Sequence, residues 1–154
     1  MKHIFLAIMS VLTIVSSSLS VSAASIKELP VTQSSNQWKV TIGKAETEKL
    51  KEEKDVFNLY SIDIKNIGDK VYDLTFEVYR DEPSTKTMFG LSEVTSIDQD
   101  FYHHSNQPVS INAKQIEVIV TWREKPYEQL NDGKKVPGRK FKESFVFYQE
   151  TFSL

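Results

Sequence analysis

Apolar residues fall along this chain in two different ways. Near the start they form one continuous run, Ile4 to Val15. From Trp38 onward they mostly alternate with polar residues, the period-two signature of half-buried strands. The first run is about 12 residues long, whereas a bilayer-spanning helix needs ~20. Lys2 precedes it, and a small, polar stretch from Ser16 to Ala23 follows it. Charge, apolar run and small-residue exit in that order predict a secretory signal peptide over residues 1–23, cut after Ala23 or Ala24. The next segment, 24–37, is polar with a single proline and reads as a loose N-terminal arm. The domain proper is then expected over 38–154.

Within that domain, Trp38, Val40 and Ile42 alternate with Lys39, Thr41 and Gly43. Residues 46–55 are charged and carry only Leu50 as an apolar residue. They have no stripe to dock on a core and read as a short exposed helix or a solvated connection. Tyr60, Ile62 and Ile64 continue the alternation, while Phe57 and Leu59 fall on the opposite parity and predict a bulge or a doubly covered stretch. The turn Asn66-Ile67-Gly68-Asp69-Lys70, with Gly68 suited to positive φ, leads into alternating Tyr72, Leu74, Phe76 and Val78 and predicts a hairpin. Val71, Tyr79 and Ile119 lie on the outward parity, where an exposed patch would suit a second layer or a partner. Short strands are expected at 87–91, 93–97 and 109–111, a loop over 98–108, and strong strands at 116–122 and 140–150. Asn131-Asp132-Gly133 and Pro137-Gly138 mark the connection between the last two. About seven short strands separated by turn signals predict an all-β protein, an immunoglobulin-like antiparallel β-sandwich, with an open barrel as the alternative.

The stretch from Leu59 to Gly68, with Val71 to Tyr79 after it, resembles the central strands of small bacterial secreted domains of the immunoglobulin-like or telokin-like kind. The resemblance covers mainly 38–80, and Lys114 to Trp122 matches a later strand. It implies a fold and no functional residues, because such domains serve diverse roles.

Composition narrows the functional classes. The chain has 154 residues, no cysteine and a net charge of −2. An exported domain of this size folds on its core without disulfides. Thiol catalysis, thiolate metal sites and cysteine-linked lipid anchoring are excluded. The acidic balance argues against nucleic acid as a partner, and no second long apolar run predicts a transmembrane anchor. With no cysteine and no N-x-S/T acceptor, the reading is a protein secreted by a bacterium. Its oligomeric state is left open.

Two segments carry candidate chemistry. Residues 134–142 place five cations, Lys134, Lys135, Arg139, Lys140 and Lys142, in nine positions of an acidic chain. Together with Tyr127 they form a candidate binding loop for an anionic cell-envelope component or a protein partner. The second segment, Asp98 to His104, gathers Asp98, Asp100, His103 and His104, whose imidazoles and carboxylates suit Zn²⁺ or Cu²⁺. Adjacent residues on a strand point to opposite faces, so both histidines reach one ion only if the segment is an irregular loop. No cofactor is expected. The leading expectation is a non-enzymatic binding module. The alternatives are a metal-dependent or hydrolytic enzyme using His103 and His104, and a secreted inhibitor.

Overall fold

A computed structural model of the chain describes residues 21–46, 50–82, 86, 88–96 and 100–149. Most of the expected signal peptide, and Asp98, lie outside them. The described residues are all-β and contain no helix. Eleven strands follow one another: β1 (Val21–Ile26), β2 (Val31–Ser34), β3 (Trp38–Lys44), β4 (Phe57–Asn66), β5 (Tyr72–Asp81), β6 (Met88–Ser96), β7 (Phe101–Ser110), β8 (Gln115–Arg123), β9 (Tyr127–Gln129), β10 (Lys135–Pro137) and β11 (Lys140–Gln149). One sheet has the order β1-β11-β8-β5-β6, a second has β2-β3-β4-β7, and β9 and β10 form a separate two-stranded ribbon. Every pairing is antiparallel except β1 with β11.

The alternating residues of both sheets meet in one core. Trp38, Val40 and Ile42 of β3 and Tyr60, Ile62 and Ile64 of β4 supply one side. Leu74, Phe76 and Val78 of β5, Ile116, Val118, Val120 and Trp122 of β8, and Phe145 and Phe147 of β11 supply the other. Trp38 is fully buried. It reaches across the sheets to Phe76 and Trp122, each with ring centroids 5.7 Å apart in edge-on geometry. Truncating a buried aromatic of this kind costs ~3–5 kcal/mol, which is how a chain without cysteine holds two sheets together.

A polar joint closes one end of the core. The Tyr60 hydroxyl donates to Gln149 Oε1 at 2.8 Å, and Gln149 Nε2 donates to the carbonyls of Ala113 at 2.7 Å and Ser110 at 3.1 Å. Buried polar groups need such partners, and here the partners come from β4, β11 and the β7–β8 connection. Burial raises the pKa of the Tyr60 phenol; the hydrogen bond from Asn58 opposes the shift and the charge of Glu52 adds to it.

Several expectations change. The polar stretch 24–37 is not a loose arm: it contains part of β1 and all of β2, with Gln33 buried and its Nε2 donating to the Val146 carbonyl at 2.7 Å. The strand number exceeds seven because residues 21–34 and the ribbon add short strands that alternation alone does not mark. Residues 101–108 are strand, not loop. The expected pair of short strands in 87–97 is one strand, β6, with an irregularity opposite Val78 and Tyr79 of β5. The expected bulge in β4 is present as a register shift between Tyr60 and Ile62, and Leu59 to Ile62 are all buried.

The hairpin expected between residues 56–65 and 72–79 does not form, since β4 and β5 belong to different sheets. The intervening turn is tied instead to the β2–β3 turn, where the Ile67 and Gly68 amides both donate to the Gln37 carbonyl. Positive φ occurs at Gly133 rather than Gly68. Gly68 is needed for close approach: a Cβ there would lie 2.5 Å from Gln37 Oε1 and 3.0 Å from the Asn36 carbonyl oxygen. Val71 and Ile119, expected on an exposed patch, are 7% and 8% exposed within the single chain.

Candidate functional site

The basic ribbon grows from the β8–β11 pair. These strands run antiparallel with Arg123 opposite Lys140 and Trp122 opposite Phe141, and the chain between them folds back as β9 and β10. Tyr127, Lys134, Lys135, Arg139 and Lys140 are all exposed, Tyr127 at 64%. The base of the ribbon is ordered by specific contacts. Arg123 donates to the Gly138 carbonyl and to Asp73. The Arg139 guanidinium lies 5.1 Å from the Phe141 ring centroid, a cation–π arrangement. A depression of about 160 Å³ there is lined by Glu124, Lys125, Glu128, Arg139 and Phe141. The Glu128 carboxylate accepts the Arg139 amide at 3.4 Å, and Asp132 accepts the Lys134 amide at 2.9 Å. These acidic groups accept backbone amides of the ribbon, and the cationic residues are exposed.

The histidine segment is built differently. Because residues 101–110 form β7, His103 and His104 project from opposite faces of the strand. The half-buried His104 accepts the Asn106 amide through Nδ1 at 3.2 Å. Burial lowers its ionisation, and the charge of His103 lowers it further. Asp100 accepts from Asn66 Nδ2 at 3.2 Å. The structure therefore does not gather the His103–His104 pair with Asp100 around one point.

It gathers a different set. Asp63 of β4 sits directly opposite His103 in the β4–β7 register, and its Oδ1 lies 2.7 Å from His103 Nδ1. Glu46, just beyond β3, is fixed by its amide donating to the Ser105 carbonyl at 3.1 Å, and its Oε2 lies 3.1 Å from His103 Nε2. The ligand atoms of Glu46, Asp63 and His103 all lie within 4.8 Å of one another. The hydrogen bond to Asp63 raises the His103 pKa above 6.5; partial burial opposes this and Glu46 reinforces it. The Ser105 hydroxyl is 3.2 Å from the same Nε2. Glu46 shares that nitrogen, and both carboxylates favour the protonated ring. Phe101 stacks on the ring at 6.2 Å, and the neighbouring open depression, about 440 Å³, is lined by Asp100, Phe101, Tyr102 and His103.

Asp63 and Glu46 were not among the sequence candidates. The parity of β4 puts Asp63 outward with Lys65, which is a usable signal. Its pairing with a residue 40 positions away is not readable locally.

The family described as YozF-like secreted protein matches residues 22–153. The chain belongs to the YozF-like secreted protein family. It is similar to YozF of Bacillus subtilis (strain 168), with 27% identity covering 79% of this chain and 80% of that protein. No solved structure matches. Membership agrees with the bacterial, secreted reading of the sequence. Among the described residues, no helix of this YozF-like chain is long and apolar enough to cross a membrane.

Proposed function

We propose that the chain is a secreted, non-enzymatic binding module with an immunoglobulin-like β-sandwich, and that it holds an anionic polymer of the cell envelope through the ribbon at Tyr127, Lys134, Lys135, Arg139 and Lys140. The strand order supports the architecture: β4 pairs with β7 in one sheet, while β5 pairs with β8 and β8 with β11 in the other. An immunoglobulin-like sandwich likewise pairs its second and fifth strands in one sheet and its third, sixth and seventh in the other.

The observation that carries the binding reading is the position of the ribbon. Strands β9 and β10 stand outside both sheets and give no residue to the core cluster, yet with Arg139 and Lys140, where β11 begins, this segment carries a dense group of exposed cations on a chain of net charge −2. A core-independent projection whose charge opposes that of the rest of the molecule suits capture of an anionic surface. Near such a surface each Lys or Arg is worth ~1 kcal/mol at low salt.

Replacing Lys134, Lys135, Arg139 and Lys140 together by Ser is expected to lower retention on isolated envelopes by roughly 10²–10³-fold at low salt. Raising the salt on the wild-type protein is expected to reproduce that loss. Unchanged retention by a folded quadruple variant removes the ribbon as the binding surface.

A further inference from the structure

We propose that Glu46, Asp63 and His103 form a binding site for a divalent transition-metal ion of the Zn²⁺ class. This site lies on the sheet opposite the ribbon and is independent of the envelope-binding reading.

The backbone brings the three side chains together. Asp63 and His103 are cross-strand partners in the β4–β7 register, and the Glu46 amide is held to the Ser105 carbonyl at 3.1 Å, two residues along β7 from His103. All three side chains are partly open to solvent, at 50% for Glu46, 36% for Asp63 and 31% for His103. An ion therefore has a path in, and water can complete the coordination shell. One imidazole and two carboxylates form an N,O donor set suited to Zn²⁺. The imidazole disfavours Mg²⁺ and Ca²⁺, which prefer oxygen-only shells. By the usual affinity order, Cu²⁺ binds such a set more tightly still.

The charge balance points the same way. Two carboxylates converge on one imidazole, so even a protonated ring leaves the cluster one negative charge in excess. A divalent cation relieves the mutual repulsion of the carboxylates more completely than a proton does. Each ring nitrogen already faces a carboxylate at 2.7 or 3.1 Å. These two contacts hold the ring between the carboxylates before an ion arrives. The Phe101 ring lies nearly parallel to the imidazole, with an interplanar angle of 11°.

The test is titration of the chelator-treated full chain with ZnCl₂ by calorimetry at neutral pH, with CaCl₂ as a parallel arm. The expected result is saturable one-to-one Zn²⁺ binding with no Ca²⁺ binding. His103→Gln and the double substitution Glu46→Gln with Asp63→Asn should each weaken Zn²⁺ binding at least tenfold, whereas His104→Gln should leave it unchanged. NMR of the wild-type protein should show the His103 ring resonances moving with added Zn²⁺ while those of His104 stay in place, a readout that does not depend on any variant folding. Absence of saturable Zn²⁺ binding below millimolar concentration overturns the proposal. So does binding that survives the His103→Gln substitution, or that moves only the His104 ring.

Discussion

The joint between Tyr60 and Gln149 offers a direct test of how the two sheets are fastened. The partners are 89 residues apart in sequence and lie on different sheets. Tyr60→Phe removes the hydroxyl, and with it the 2.8 Å bond to Gln149 and the longer 3.3 Å bond accepted from Asn58, at a cost of ~1 kcal/mol, set mainly by the shorter one. Gln149→Leu removes the acceptor for that hydroxyl and the two donors to the Ala113 and Ser110 carbonyls. At ~1 kcal/mol per hydrogen bond, its cost is ~3 kcal/mol, a fall of roughly 10 °C in the thermal midpoint for a domain of this size. The two substitutions should not add. Once Gln149 is gone, the buried Tyr60 hydroxyl has lost its acceptor and keeps only the 3.3 Å contact from Asn58, so removing it costs little further. The double variant should therefore resemble Gln149→Leu alone, with a coupling energy of ~1 kcal/mol. Urea unfolding of the four proteins, with unchanged denaturant slopes, measures this. Additivity to within ~0.3 kcal/mol would mean that the hydrogen bond is not made and that the end of the core is closed in some other way.

Two further outcomes follow from the same geometry. In chelator-treated protein, NMR titration should show His103 ionising above 6.5 and His104 below it. The raised pKa makes the His103 contribution to stability fully present below the unfolded value and lost as pH rises through the folded one. The lowered pKa of His104 acts in the opposite sense, destabilising the fold as pH falls below the unfolded value. Matching titrations for the two rings would refute the carboxylate contacts of His103 and the burial of His104. At Gly138, a Cβ would lie 2.0 Å from the Lys125 carbonyl oxygen, so Gly138→Ala should force the base of the ribbon apart and cost ~1–3 kcal/mol in urea unfolding. A loss under ~0.5 kcal/mol would show that the close approach is not maintained in solution.

Alternation made most of the inward residues legible before any pairing was known: Trp38, Val40, Ile42, Ile62, Phe76, Val118 and Trp122 are all core. It did not reveal which strands are neighbours. Ile62 and Ile64 would line one face beside Leu74 and Phe76 in a hairpin, and they also line one core with them from opposite sheets. A period of two is the same in both cases. What decides between them is nonlocal: the amides of Ile67 and Gly68 are taken by the Gln37 carbonyl, which turns the chain toward the second sheet. The short strands β1 and β2 were obscured for a related reason. Their polar residues, such as Gln33, are satisfied by partners more than a hundred positions away, and polarity read locally suggests solvent.

The same distinction explains the histidine segment. Reading 98–108 as a loop allowed His103 and His104 to act together, and Asp98 and Asp100 supplied nearby carboxylates. Once 101–110 is a strand, parity groups His103 with Phe101 and Ser105 and sets His104 apart with Tyr102 and Asn106. The carboxylates near His103 must then come from a neighbouring strand and from the end of β3, as Asp63 and Glu46 do. Proximity in sequence favours Asp100, but its carboxylate is engaged by Asn66 across the sheet edge. A histidine on a strand finds its partners sideways across the ladder rather than along the chain. In an all-β protein, metal-ligand spacing is therefore written in strand register, and a search for closely spaced ligands passes over the set that the fold assembles.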